Sequence, residues 1–170
     1  MNRQILIRPD YRKDEDKNEW VIYHRWELHY DRYQYNPENV QIISRAIREK
    51  LTPKMLSRKY KEGNRTNPFF GHCYHSTQAL FYFMDTENLV PHSGKDNRGI
   101  IHWWLKDKNE IIDVTEDSYD DDNLPPYDVG KKSKWYGWKE RVHKRTLDLM
   151  NSVQPTSQII SVPVKSDARL

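Results

Sequence analysis

Gly71-His72-Cys73-Tyr74-His75-Ser76-Thr77-Gln78-Ala79-Leu80-Phe81-Tyr82-Phe83-Met84 is the stretch that decides the fold. After Gly71 it is apolar nearly all round, which predicts a helix buried on every face. Gly71 permits a tight turn into that helix, so Cys73, the single cysteine of the chain, falls at or near its first turn. There the unpaired backbone N–H groups and the positive end of the helix dipole favour a thiolate over a thiol. The same N–H groups are placed to hold a developing oxyanion.

Upstream, residues 3 to 8 and 20 to 30 read as strands, with the charged run Asp10 to Asn18 as the loop between them. Period two puts Trp20, Ile22, Trp26, Leu28 and Tyr30 on one side of the second strand. Asn36-Pro37 opens a helix in which Val40, Ile43, Ala46 and Ile47 recur at helical spacing, ending near Lys50. Thr52-Pro53 starts a short turn, and Glu62 to Pro68 is rich enough in turn formers to read as a loop.

Downstream, Pro91 to Gly99 also reads as a loop. Ile100 to Lys106 and Glu110 to Thr115 are β-rich and separated by Asp107-Lys108-Asn109, the pattern of an antiparallel hairpin. Leu124 to Gly130 is irregular. Trp138 to Val153 returns to helix, with Val142, Leu147, Met150 and Val153 on one stripe, and Ser157 to Val164 forms a last strand after Pro155. The order predicts an α+β fold with a buried nucleophile helix packed on an antiparallel sheet. At 170 residues it predicts a single domain. Residues 1–37 are a strand extension beside the core sheet, 38–153 the catalytic-like core, and 154–170 a C-terminal strand and tail.

Composition narrows the class. With 31% charged residues and a mean hydropathy of −1.03 the chain could pass for half-disordered, but 12% of it is aromatic, which disordered chains are not. No apolar run approaches the roughly 20 residues of a membrane span, and Met1 to Arg8 breaks into charge too early for a signal peptide. One cysteine excludes a disulfide within the chain and a cysteine-only zinc site. A reduced, soluble, cytoplasmic protein with no membrane partner is expected.

The hairpin supplies what a cysteine nucleophile requires. His102 lies on its first strand and Asp113 on its second, close to opposite across a short turn, where side chains on one face meet. A thiolate attacking a carbonyl needs a general base, and that base needs a partner to fix its tautomer. Packing the hairpin beside the start of the buried helix completes a Cys73–His102–Asp113 row. The plain alternative is that Cys73 is a small buried hydrophobe, His102 a core histidine beside two tryptophans, and Asp113 a turn residue. His72 and His75 share a helix face as candidate substrate-binding groups, with Trp103, Trp104 and Trp138 able to stack on a substrate ring. His72, Cys73, His75, His102 and Asp113 are zinc ligands in type, but neither a paired Cys-x-x-Cys nor His-Glu-x-x-His is present. No metal and no cofactor are therefore expected.

His102-Trp103-Trp104-Leu105, followed by Ile111-Ile112-Asp113-Val114-Thr115, resembles the histidine and aspartate strands of transglutaminase-like cysteine enzymes. That group has a papain-like fold and includes the arylamine N-acetyltransferases. It places cysteine at a helix start, histidine on a following strand and aspartate on the next. The resemblance runs from Gly71 to Thr115 and implies catalytic roles for Cys73, His102 and Asp113 in amide hydrolysis or acyl transfer, on a small-molecule or protein substrate. No Arg-Gly-Gly segment precedes Cys73, which argues against acetyl-coenzyme A chemistry. Gly71 to His75, His102 to Leu105 and Tyr136 to Arg141 together are also similar to small bacteriophage proteins, implying action on a host or phage component in the host cytoplasm.

Charge is unevenly spread although the net is only +3. Asp113 to Asp122 holds six carboxylates and no cation, whereas Lys131 to Arg145 holds seven cations and one carboxylate. The competing functional class is therefore a non-catalytic binding module. In it Lys131, Lys132, Lys134, Lys139, Arg141, Lys144 and Arg145, with Trp135 and Trp138, grip nucleic acid or an acidic partner.

Overall fold

The structure is a computed structural model and describes residues 2–137 and 142–164. Those residues form an α+β arrangement of two sheets and four α-helices. The first sheet joins β1 (Asn2–Asp14), β2 (Glu19–Gln34), β3 (Met84–Asp85) and β8 (Gln158–Pro163). β1 and β8 both pair antiparallel with β2, and β3 adds a short parallel step at its end, Tyr33 opposite Met84. The second sheet runs β6-β5-β4-β7, from β4 (Val90–Lys95), β5 (Ile101–Asp107), β6 (Glu110–Ile112) and β7 (Lys131–Lys132), and is antiparallel throughout. The helices are α1 (Pro37–Glu49), α2 (Arg58–Thr66), α3 (Cys73–Phe83) and α4 (Lys144–Val153).

α3 is the hub. It packs on β5 of one sheet, on β2 of the other, and on α1 and α4. One continuous core follows from this, drawing Leu28 and Tyr30 from β2, Ile43 and Ile47 from α1, Phe83 from α3, Trp103 from β5 and Met150 from α4. Aromatic rings fill much of it, which is how a chain of such low mean hydropathy still buries enough apolar area to fold. Among the described residues no helix is long and apolar enough to cross a membrane.

Local chemistry explains the elements. Asn36 caps α1 by accepting the Asn39 N–H at 2.7 Å through its side chain, with Pro37 at the first helical position. α4 starts at Lys144, where the His143 ring caps by accepting the Arg145 N–H at 3.1 Å, so buried Val142 precedes the helix. The expected start at Trp138 falls within 138–141, outside the described residues.

Several expectations need correction. Asp10 to Asn18 is mostly strand, because the β1–β2 ladder continues past a bulge at Asp10/Tyr11 to Asp14 opposite Glu19. Of the side that carries Trp20, Leu28 and Tyr30, the latter two are buried, whereas Trp20, at that overhanging end, is 56% exposed. The expected loop from Glu62 is helical through Thr66, held by the Asn64 amide donating to the carbonyls of Pro68 and Phe70 at 3.0 and 2.9 Å. Within Pro91 to Gly99, β4 replaces a loop. Gly94 is needed there, since a Cβ on it would lie 2.9 Å from the Gly130 backbone that crosses the strand. The N-terminal strands do not widen the hairpin's sheet but build a separate one on the other side of α3.

Candidate active site

The position of Cys73 is built by the turn into α3. Gly71 has φ +87°, and a Cβ there would sit 2.7 Å from Tyr60 Cβ, so both backbone angle and space call for glycine. The next turn closes on His72, whose carbonyl accepts the Ser76 N–H at 3.2 Å and the Ser76 hydroxyl at 2.7 Å. The N–H groups of Cys73, Tyr74 and His75 thus begin the helix with no carbonyl ahead of them in it. Cys73 is half-buried, with Sγ 3.7 Å from the Ile101 carbonyl oxygen, one residue before His102.

β5 and α3 are tied directly, the Thr77 hydroxyl donating to the Trp103 carbonyl at 3.1 Å. This brings His102 alongside Cys73. The His102 side chain is 3% exposed and that of Asp113 1%, with Nε2 2.6 Å from Asp113 Oδ2. Facing a carboxylate at that distance, Nε2 carries a proton, which leaves Nδ1 as the ring nitrogen not engaged by Asp113, and Cys73 lines the same cavity as the ring. Asp113 is itself fully engaged: Tyr127 donates its hydroxyl to the same Oδ2 at 2.6 Å, and the Thr115 N–H donates to Oδ1 at 3.0 Å. Below the imidazole lies Trp104, nearly parallel at 6.0 Å, and Tyr119 meets it edge-on at 4.8 Å.

Charge follows from these contacts. Burial works to lower the pKa of His102, but the hydrogen bonds and charges of Asp113 and Cys73 outweigh it and lift the value to about 10. Burial and Asp113 together push the Tyr127 phenol up, so it stays a donor.

Cys73 and His102 open on a cavity of about 350 Å³. Of the substrate-binding candidates, His75 and Trp103 line it. His72 and Trp104 do not: both are completely buried, His72 beneath the turn and Trp104 under the His102 ring, so neither is a substrate contact. Trp138 lies outside the described residues. His75 accepts or donates at Nδ1 to the Thr146 hydroxyl at 3.0 Å, and burial, aided by His143 and Arg145, lowers its pKa to about 3. Trp135, a proposed stacking platform, is instead core: it is 8% exposed and stacked on Trp103 at 5.3 Å. In the basic segment Lys144 pairs with Asp148 at 3.0 Å, and Lys139 and Arg141 lie outside the described residues.

Sequence reasoning missed Tyr119 and Tyr127, which reach the site from the acidic and irregular segments after the hairpin. It also missed Tyr74 and Tyr136, whose rings stack at 4.9 Å beside the cavity. None sits in a pattern that marks it. Among the described residues no three His, Cys, Asp or Glu side chains converge as a metal-binding group. Compared with protein-family models, curated proteins and solved structures, the chain matches none.

Proposed function

We propose that this protein is a cysteine-dependent enzyme of amide hydrolysis or acyl transfer, with Cys73 as nucleophile, His102 as base and acid, and Asp113 as the group that orients and charges the imidazole. The reading draws on one observation above all. His102 holds Asp113 at 2.6 Å through one nitrogen and lines the same cavity as Cys73, which stands at a helix start. The order of helix cysteine, strand histidine and an aspartate just past the next strand, which ends at Ile112 rather than at the expected Thr115, resembles that of transglutaminase-like, papain-like enzymes, and we assign the fold to that type on this basis. A lone working thiolate also suits a reducing compartment such as a host cytoplasm.

The chemistry runs as two acyl transfers. The Cys73 thiolate adds to the substrate carbonyl, and the first-turn N–H groups of α3 stabilise the oxyanion. The C–N bond breaks as His102 passes its proton to the leaving amine, giving an S-acyl enzyme. Water or an acceptor amine then attacks the thioester, His102 takes its proton, and the C–S bond breaks to restore the thiolate–imidazolium pair. Asp113, held by Tyr127 and the Thr115 N–H, stabilises each imidazolium.

Alkylation by iodoacetamide at neutral pH tests this reading. Cys73 in the folded protein should react at least about tenfold faster than in the unfolded chain, and His102→Ala should remove the advantage. A folded-state rate no faster than the unfolded one would overturn the proposal.

A further inference from the structure

The cavity beside Cys73 has a charge pattern that speaks to its substrate. Among the described residues its formally charged lining is cationic: Lys59, Arg98 and Arg145, with no Asp or Glu on its walls. The nearby acidic run does not offset this, since Glu116, Asp117, Asp120, Asp121 and Asp122 are all exposed and outside the lining.

The three cations are not equivalent. Arg98 forks onto Asp96 through Nε at 3.1 Å and Nη2 at 2.8 Å, and the Asp96 side chain is completely buried. That pair contributes a dipole but no net charge. Neither Lys59 nor Arg145 has an ion-pair partner among the described residues. Lys59 rests instead over the Tyr60 ring at 4.7 Å, and Arg145 is half-buried at the start of α4 beside His75. A Cys73 thiolate, a His102 imidazolium and the Asp113 carboxylate together carry one net negative charge, and Asp113 sits behind the imidazole, outside the lining. Lys59 and Arg145 are left as the cations without an ion pair on these walls; Lys59 is exposed, whereas half-buried Arg145 is screened less than on open surface.

Such a cavity favours a negative ligand, and its shape limits which. About 350 Å³ suits a small acyl group or one side chain. No glycine-rich amide cradle of the kind that holds phosphate lines it, and the first-turn amides of α3 are assigned to the oxyanion. A guanidinium fork on the same cavity as an ammonium matches a planar carboxylate. Resting on the cysteine chemistry proposed above, we infer that the acyl substrate carries a carboxylate at its non-reacting end, received by Arg145 and Lys59.

Iodoacetate and iodoacetamide provide the test, because they share the alkylating carbon and differ in charge. The quantity read is the ratio of their rates at Cys73, in which any change of thiolate fraction cancels. The imidazolium alone favours the anion, so the decision lies with the variants. Lys59→Gln/Arg145→Gln should lower the ratio about fivefold to tenfold, each single change about twofold to threefold, and Arg145→Lys should retain it. Raising ionic strength from about 0.01 M to about 1 M should lower the ratio more in the native protein than in the double variant. A ratio unchanged within twofold in the double variant overturns this inference while fast iodoacetamide alkylation keeps the cysteine chemistry standing. Slow alkylation by both reagents overturns the chemistry itself.

Discussion

Two buried histidines stand beside Cys73 and are treated in opposite ways. His72 precedes Cys73, has no exposed surface, and finds no hydrogen-bond partner for either ring nitrogen among the described residues; burial alone drives its pKa down to about 4. His102 is as deeply buried, at 2% exposed, yet its pKa rises to about 10 because Asp113 and Cys73 bond to it. Burial is therefore common to both, and the partners decide the charge. The fold commits Tyr127 and the Thr115 N–H to holding Asp113 in place for one imidazole and supplies nothing to the other. A neutral His72 on one side and an imidazolium on the other leave a single charged ring for the sulfur.

The largest way to break this contrast is Asp113→Asn. Without the carboxylate, His102 should behave more like His72, and acyl turnover or Cys73 alkylation at pH 7 should fall by about 10² to 10⁴. Thermal unfolding of the variant, followed alongside the rate, separates lost chemistry from lost fold.

The contrast also predicts opposite pH dependences of stability. His72 and His75 have folded-state pKa values below the ordinary 6.5, so the stability they confer as neutral rings is full above pH 6.5 and is lost as pH falls toward 4. For His72 the loss is about 3 kcal/mol. His102 has a raised value, so its contribution is full below pH 6.5 and is lost as pH climbs toward 10. Unfolding midpoints measured across pH 4 to pH 10 should show both slopes, with His72→Leu flattening the acid side and His102→Gln the alkaline side.

A smaller change sharpens the comparison. Tyr127→Phe removes one of the two donors to Asp113 Oδ2 and leaves the other. The carboxylate is then held less firmly, and the alkylation rate should fall no more than about tenfold. A loss as large as that of Asp113→Asn would mean that Tyr127 does more than position the acid.

The elements that set the site were legible where local chemistry announces itself. Asn36-Pro37 marked α1, the apolar run after Gly71 marked α3, and Asp107-Lys108-Asn109 marked the β5–β6 hairpin, which together suggested the ordered row of Cys73, His102 and Asp113. What escaped was set by tertiary contact. β4 was hidden by Pro91 and Gly94, which discourage a strand until Gly130 is seen crossing it. α2 was hidden by Gly63 and Asn64, residues that suit a turn except that Asn64 bonds the carbonyls beyond the helix. Tyr127 lies in an irregular segment, and only its 2.6 Å bond to Asp113 gives it a role. Trp104 and Trp135 look like ligand platforms in the sequence because aromatic rings serve a core and a binding site equally well.

The most direct measurement is the protonation of the His102 ring, followed by nitrogen NMR of the native protein between pH 5 and pH 11. The account predicts that this imidazole stays doubly protonated through pH 8 and gives up its proton near 10, while His72 stays neutral across the range. A His102 ring that loses its proton near pH 6.5, as a free histidine does, would contradict the thiolate–imidazolium pair on which the proposed chemistry stands.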